Sequence, residues 1–302
     1  MTNIGLRIDV DTLRGTRKGV PALENLLFRY GIQATFFFSL GPDNMGRSLW
    51  RLAKPAFLKK MLRSKAPSLY GWDILFRGTF MPGPLIGRLC ETAIRRIAAR
   101  GHDIGVHAWD HYTWQTRILS ASERIACRVV QKGFDELVRI TGKLPTCSAA
   151  PGWIVNDTIL CAKDRFPFAF NSDCRGESVF YPMVNGQVLR TPQVPVTLPT
   201  YDELIGRDGV TQANYNDRLL ALLKPGKLNV LTIHAEVEGI ACLSMFEDFI
   251  RRATAAGFAF VPLSECLREC PSPGVSTVFP EFFPGRDGRV GVQQPPVEVT
   301  PV

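Results

Sequence analysis

No apolar run in this 302-residue chain approaches the ~20 residues of a membrane-spanning helix, which excludes an integral helical membrane protein. There is no CxxC pair. The eight cysteines are scattered (Cys90, Cys127, Cys147, Cys161, Cys174, Cys242, Cys266, Cys270), a pattern of small buried hydrophobes in a reducing compartment and not of a disulfide framework. No GxGxxG or GxxxxGK[ST] loop is present, so the nucleotide-binding folds lose ground. Histidine is scarce, with only His102, His107, His111 and His234. A cleavable secretory leader is not expected, because removing ~15–30 residues would remove the first strand and the acidic residues at its end. The expected location is the cytoplasm.

Two aspartates and two histidines carry most of what is there. Asp9 and Asp11 end the apolar run Ile4 to Val10, which reads as a buried strand. Residues i and i+2 of a strand project to one face, so both carboxylates enter one space. His107 and His111 have the i, i+4 spacing of neighbours on a helical turn. A carboxylate and two imidazoles suit a divalent transition metal with an open position, and the second carboxylate remains as a base for hydrolysis. His234 closes another apolar strand, Leu231 to His234, while His102 follows a helix-ending glycine and reads as structural.

Strand and helix signals alternate along the chain. Strand candidates are 4–10, 34–38, 103–107, 146–150, 168–171, 228–234 and 258–261. Helices are expected over 18–30 (Pro21 near its start, Gly31 as its stop) and 85–100 (stopped by Gly101). Two more are expected to open at capping boxes, Ser120 with Glu123 running to Ile140, and Ser244 with Glu247. Such alternation argues for parallel strands with helical crossovers. Asp9, Asp11, His107 and His234 all fall at strand ends, where the catalytic residues of a (β/α) barrel gather, which favours a barrel over an open sheet. Residues 41–84 are too long for a βα connection and read as an insertion. Beyond Pro271 the chain is rich in Pro, Gly and Phe, and irregular cover is expected, with a frayed tail from Pro295. The expected organisation is a catalytic barrel over 1–270, carrying the insertion, and a C-terminal segment over 271–302.

The net charge of +8 is unevenly placed. Arg47, Arg51, Lys54, Lys59, Lys60, Arg63 and Lys65 occur in one stretch without an acidic residue, interleaved with Leu49, Trp50, Leu52, Phe57, Leu58, Met61 and Leu62. An apolar stripe bordered by Lys and Arg can lie in a headgroup plane, each basic residue adding ~1 kcal/mol of attraction to an anionic leaflet. Trp72 and Tyr70 could join it at the interface. A solvated basic helix docked on the barrel is the alternative. No nucleic-acid motif accompanies the charge, so nucleic acid is not expected as a partner.

The order of motifs resembles the polysaccharide deacetylase superfamily, metal-dependent carbohydrate amidohydrolases on a distorted (β/α) barrel. The motifs are Ile8-Asp9-Val10-Asp11, His107-Ala108-Trp109-Asp110-His111, Ala150-Pro151-Gly152-Trp153, Asn171-Ser172-Asp173 and Leu231-Thr232-Ile233-His234. The resemblance implies that Asp11, His107 and His111 hold the metal, zinc, cobalt or manganese. Asp9 would be the general base and His234 the general acid, with Asp173 orienting or tuning that acid. Pro151, Trp153 and Arg175 would line the substrate pocket. The chain departs from the pattern at Ala149, where the family often has an arginine that steadies the base, and at Ala108. Asp9 therefore needs another partner, for which Arg175 is the candidate.

Longer segments are similar to one branch of the superfamily: Ser148 to Trp153, Asn171 to Gly176, Pro195 to Thr200 and Ile233 to Gly239. That branch deformylates 4-deoxy-4-formamido-L-arabinose carried on undecaprenyl phosphate, a step towards aminoarabinose-modified lipid A and resistance to polymyxin and cationic peptides. The resemblance implies a peripheral enzyme at the cytoplasmic face of the bacterial inner membrane. Trp50, Phe57, Leu58, Lys59, Lys60, Met61, Leu62 and Arg63 would meet its anionic surface. The rivals are an N-deacetylase of another carbohydrate and a catalytically silent, membrane-associated metal-binding barrel.

Overall fold

Strand β1, Thr2–Val10, runs through the middle of the molecule, and its side chains alternate between two environments. Ile4, Leu6, Ile8 and Val10 join the main core, packed against helices, while Arg7 and Asp9 take the opposite face. The same period of two runs through the neighbours. In β2, Thr35–Ser39, Phe36 and Phe38 enter the main core and Phe37 enters a second cluster with Cys147, Ala149, Trp153, Phe170 and Val230. In β3, Asp103–Ala108, Val106 and Ala108 face the helices. This inner face is the lumen of a barrel.

A computed structural model describes residues 1–47, 78–79, 81–286 and 288–297. β4 (Cys147–Ser148), β5 (Phe170–Asn171), β8 (Asn229–His234) and β9 (Phe258–Val261) complete a seven-stranded parallel sheet with the order β5-β4-β3-β2-β1-β8, β9 also pairing with β1. The pairing of β1 with β9 covers Thr2–Gly5, and that with β2 covers Arg7–Val10. Between β5 and β8 no regular ladder forms. The gap is bridged by residues 193–198, where Val194 N–H donates to Asn171 O at 2.8 Å and Leu198 N–H to Val230 O at 3.1 Å. The result is the expected distorted (β/α) barrel, a parallel half-barrel sheet with helical crossovers.

The helix from Glu123 to Thr141 buries Ala126, Val130, Phe134, Leu137 and Ile140, an apolar stripe at helical period that covers the outer face of the sheet. Its N-cap is Ser122 with no side-chain cap. Ser120 instead donates to Arg117 O in a preceding 3-10 turn, which corrects the expected capping box. The later helix, Leu243–Ala255, likewise starts at Cys242 and not at Ser244. The helix expected over 85–100 is broken at Cys90 into Ile86–Leu89 and Glu91–Ala99.

Strands occur where none was expected. β6 (Phe180–Val184) pairs with β7 (Gln187–Val188) and with β10 (Gly274–Ser276). β11 (Val278–Phe282) and β12 (Arg289–Gln293) form an antiparallel hairpin, so the segment beyond Pro271 is built structure rather than irregular cover. Arg175 N–H donates to Gly291 O at 2.8 Å, tying this hairpin to the barrel. No described helix is long and apolar enough to cross a membrane. Trp50, Phe57, Leu58, Lys59, Lys60, Met61, Leu62 and Arg63, read as a membrane interface, lie outside the described residues. The stems of that insertion are described: Gly41 N–H donates to Trp109 O at 2.7 Å and Asp43 N–H to Pro84 O at 3.0 Å, so it emerges beside the His107–His111 segment.

Candidate active site

The register of the sheet sets the site. Asp9 in β1 lies directly beside His234 in β8, and Ala235 N–H donates to Asp9 O at 2.9 Å. His107, near the end of β3, enters from the other side of β2. His111 is not one helical turn away from it on the same helix, as the spacing suggested. His107 ends a strand, and His111 opens the helix His111–Arg117, whose N-cap Asp110 accepts Thr113 N–H at 3.0 Å. The reversal between them brings the rings together at 5.4 Å between centroids.

Asp11 stands just past the end of β1, its backbone held from outside. Glu236 Oε1 accepts from Asp11 N–H (3.0 Å), Thr12 N–H (2.9 Å) and the Thr12 hydroxyl (2.7 Å). The Asp11 carboxylate then sits between two imidazoles, Oδ1 3.2 Å from His107 Nε2 and Oδ2 3.3 Å from His111 Nε2. Asp11, His107 and His111 are all buried, with one ligand atom of each within 4.8 Å of the others. His107 Nδ1 lies 3.1 Å from the Ala149 carbonyl, an acceptor only, so this nitrogen donates to it and Nε2 is the one turned towards Asp11. Burial pushes His111 down to about 4, so its ring is neutral at neutral pH. Asp11 Oδ1 has no hydrogen-bond donor. Two imidazole nitrogens and a carboxylate aimed at one point form a donor set that a divalent cation fits.

Asp9 is partnered by Arg7, two residues earlier on the same strand face. Arg7 Nε donates to Oδ1 at 2.7 Å and Nη2 to Oδ2 at 2.8 Å, a bidentate pair, while Nη1 donates to the Ser172 carbonyl and lies 3.2 Å from its hydroxyl. Burial raises the Asp9 pKa, but Arg7 and then His107 outweigh it, leaving the carboxyl below its ordinary range. The strand alternation that aligns Asp9 with Asp11 aligns Arg7 with them as well. That signal was available in the sequence.

Arg175, the candidate partner for Asp9, is instead held by Glu203 Oε2 (2.8 Å) and the Leu198 carbonyl (2.8 Å). Asp173 accepts from Lys163 Nζ and from Gln193 Nε2 (3.2 Å), a fully buried ion pair, and is not among the main charges acting on His234. Burial lowers the His234 pKa, but Asp11, then Asp9, Asp202 and Glu238, outweigh it and leave the ring raised above its ordinary value. Asp202 was not singled out from the sequence, nor was Glu238, whose Oε2 accepts His234 N–H at 2.8 Å and which burial pushes up to about 7. Both belong to the segments 195–200 and 233–239 or adjoin them, which is the signal that could have found them. His102 accepts Ala34 N–H at 3.1 Å and packs edge-on against Phe36.

Trp153 and Pro151 are buried in one 3-10 turn. The Trp153 ring lies in the inner cluster, with the guanidiniums of Arg175 at 4.6 Å and Arg286 at 4.5 Å from its centroid.

The family model for polysaccharide deacetylase matches residues 8–169. A probable 4-deoxy-4-formamido-L-arabinose-phosphoundecaprenol deformylase of Shewanella sediminis is 54% identical over 269 residues, covering 88% of this chain and 86% of that protein. A protein of Wigglesworthia glossinidia brevipalpis with the same description is 40% identical over 283 residues, covering 93% and 98%. Among solved structures, a putative polysaccharide deacetylase from Mycobacterium smegmatis superposes with a TM-score of 0.61 at 16% identity, covering 90% of this chain and 93% of the other. A family 4 acetyl xylan esterase from Clostridium thermocellum, in complex with cobalt, gives 0.53 at 13% identity with the same coverage. At these identities the two structures establish the fold.

Proposed function

The chain belongs to the polysaccharide deacetylase family and is a hydrolase of carbon–nitrogen amide bonds, and on that premise we propose that it is a metal-dependent deformylase. Its substrate is 4-deoxy-4-formamido-L-arabinose carried on undecaprenyl phosphate, the molecule named in the description of both curated relatives. The single observation that carries the catalytic reading is the Asp11 carboxylate wedged between the inward-facing nitrogens of His107 and His111, with Arg7-locked Asp9 beside it.

Asp11, His107 and His111 hold the divalent cation, zinc, cobalt or manganese, which supplies Lewis acidity for an amide carbonyl and for water. Asp9, kept ionised and pinned through both oxygens by Arg7, takes the proton from the attacking water as the carbon–oxygen bond forms. His234, adjacent to Asp9 across the ladder and raised above its ordinary pKa, donates a proton to the amine nitrogen as the carbon–nitrogen bond breaks. Formate and the free amino sugar are the products. The amine then serves aminoarabinose modification of lipid A and resistance to cationic peptides.

Seven basic residues without an acidic one between Arg47 and Lys65 support peripheral association with the anionic cytoplasmic face of the inner membrane. The stems of that insertion flank the His107–His111 segment, which suits a lipid-anchored sugar delivered from the bilayer. The test is formate release from the lipid-linked formamido sugar by metal-loaded protein, with and without chelator. Chelator-sensitive release supports the reading. No release from the loaded protein, with release of acetate from an N-acetylated sugar, transfers it to the deacetylase alternative.

A further inference from the structure

The stems of the insertion are tied to both segments that carry the metal ligands. The outgoing stem runs beside the end of β3, with Leu40 N–H donating to Ala108 O at 3.0 Å and Gly41 N–H to Trp109 O at 2.7 Å. A Cβ at Gly41 would stand 2.1 Å from that Trp109 oxygen, so glycine is what admits this approach. The returning stem closes on the outgoing one through Asp43 N–H to Pro84 O at 3.0 Å and a bridge between Pro42 and Leu85. A Cβ at Gly83 would lie 1.9 Å from the Asp43 carbonyl, so here too the two stems meet on a bare Cα. At their junction stand two buried polar side chains, Asp43 at 1% and Asn44 at 4% exposure.

Each of the two reaches a different ligand segment. Asp43 Oδ2 accepts Leu13 N–H at 3.0 Å, two residues after Asp11. With Glu236 on the amides of Asp11 and Thr12, three successive N–H groups of that loop are held by two buried carboxylates. Leu13 also packs with Ile86 and Cys90, which follow the returning stem. Asn44 Nδ2 donates at 2.7 Å to Oδ2 of Asp110, the residue that caps the helix opened by His111. Asn44 Oδ1 accepts Gly83 N–H at 3.0 Å. A carboxylate only accepts and a backbone N–H only donates, so these two partners fix the orientation of the amide.

We propose that Asp43 and Asn44 are positioning residues for the metal centre. One side chain holds the Asp11 loop and the next holds the N-cap of the His111 helix, so the base of the insertion sets the separation of the two ligand segments. This rests on the reading of Asp11, His107 and His111 as the cation's ligands. Neighbours on one chain do not move independently, and a shift of either ligand segment is carried to the other through the peptide between Asp43 and Asn44. The insertion is thereby a working part of the metal site as well as an arm beside it.

Cobalt(II) titration of the full metal-free chain is the test. Asp43→Ala and Asn44→Asp each weaken binding about tenfold or more, the scale expected when a group that orients a ligand is lost. Asn44→Asp is isosteric and sets a carboxylate against Asp110. The exchange Asn44→Asp/Asp110→Asn again faces a donor with an acceptor and recovers affinity. Asp43→Asn keeps an oxygen for Leu13 N–H and retains most of the wild-type affinity. Glu24→Gln weakens the pairing of a buried carboxylate with Arg96 and Arg100. It lowers the thermal midpoint and leaves cobalt affinity intact, which separates lost stability from lost positioning. Unchanged affinity in Asp43→Ala and Asn44→Asp, or a double variant that binds no better than Asn44→Asp, overturns the proposal. Should Asp43→Ala fail to fold, the isosteric exchange at 44 and 110 decides alone. If wild type binds no cobalt, the metal reading falls, and amide hydrogen exchange of Asn44→Asp decides the clamp. Faster exchange across both residues 11–16 and 110–117 supports it, and exchange equal to wild type's in either segment overturns it.

Discussion

Replacing Arg7 by methionine removes the cation from a pair whose members are 0% and 3% exposed. Two charge-assisted hydrogen bonds at 2.7 and 2.8 Å are lost, and the Ser172 carbonyl loses its donor. At about 1.5–3 kcal/mol each, the two bonds alone amount to ~3–6 kcal/mol. The general cost of stranding a buried charge, about 3–5 kcal/mol, agrees. Asp9→Asn strands Arg7 in the same way, so the double variant Arg7→Met/Asp9→Asn costs less than the sum of the singles by about 2–3 kcal/mol. Urea unfolding followed by tryptophan fluorescence measures all four corners of the cycle. Turnover of Arg7→Met falls by about two orders of magnitude, since an unpinned base is displaced from its line of attack. Destabilisation below about 1 kcal/mol, or singles that add within about 0.5 kcal/mol, would refute the claim that Arg7 and Asp9 act as one unit.

Other outcomes follow from the same geometry. Asp202→Asn removes a negative charge that raises His234, so the protonated acid is lost at lower pH and the alkaline limb of kcat/KM moves down; an unmoved limb contradicts this role. Asp173→Asn leaves Lys163 buried without its partner, costing ~3–5 kcal/mol of stability, and leaves that same limb in place. Burial pushes Cys266 up to about 12, against 9.0 for an ordinary thiol. Unfolded chains then release a proton that folded ones retain, so stability falls as pH rises above 9, by ~1.4 kcal/mol per pH unit. Cys266→Ala removes that part of the alkaline slope in urea midpoints; a slope equal to wild type's would assign it elsewhere.

Much of the barrel was legible because its strands are short apolar runs ended by polar residues, and because β1, β3 and β8 deliver Asp9, His107 and His234 to the same rim. What was misread had local causes. HxxxH has helical spacing, yet here it straddles a strand end and an Asp110-capped helix start, a distinction the spacing alone does not encode. Asp173 and Arg175 lie in a motif-like segment, but their partners Lys163 and Glu203 are set by tertiary packing across 10 and 28 residues. The strands beyond Pro271 pair with residues as distant as Phe180 and Arg175, so neither composition nor periodicity announces them. Arg7 is legible by the same alternation that aligns Asp9 with Asp11, although its complete burial runs against the usual exposure of arginine.

In the proposed mechanism Asp11, His107 and His111 hold the cation while Asp9 stands free of it as the base. Titration of the metal-free protein with cobalt(II), followed by visible absorption, tests that division most directly. One equivalent is expected to bind per chain, lost in Asp11→Asn, His107→Ala and His111→Ala, and retained in an inactive Asp9→Asn. Binding that survives the loss of His107 or His111, or that disappears with Asp9→Asn, would contradict it.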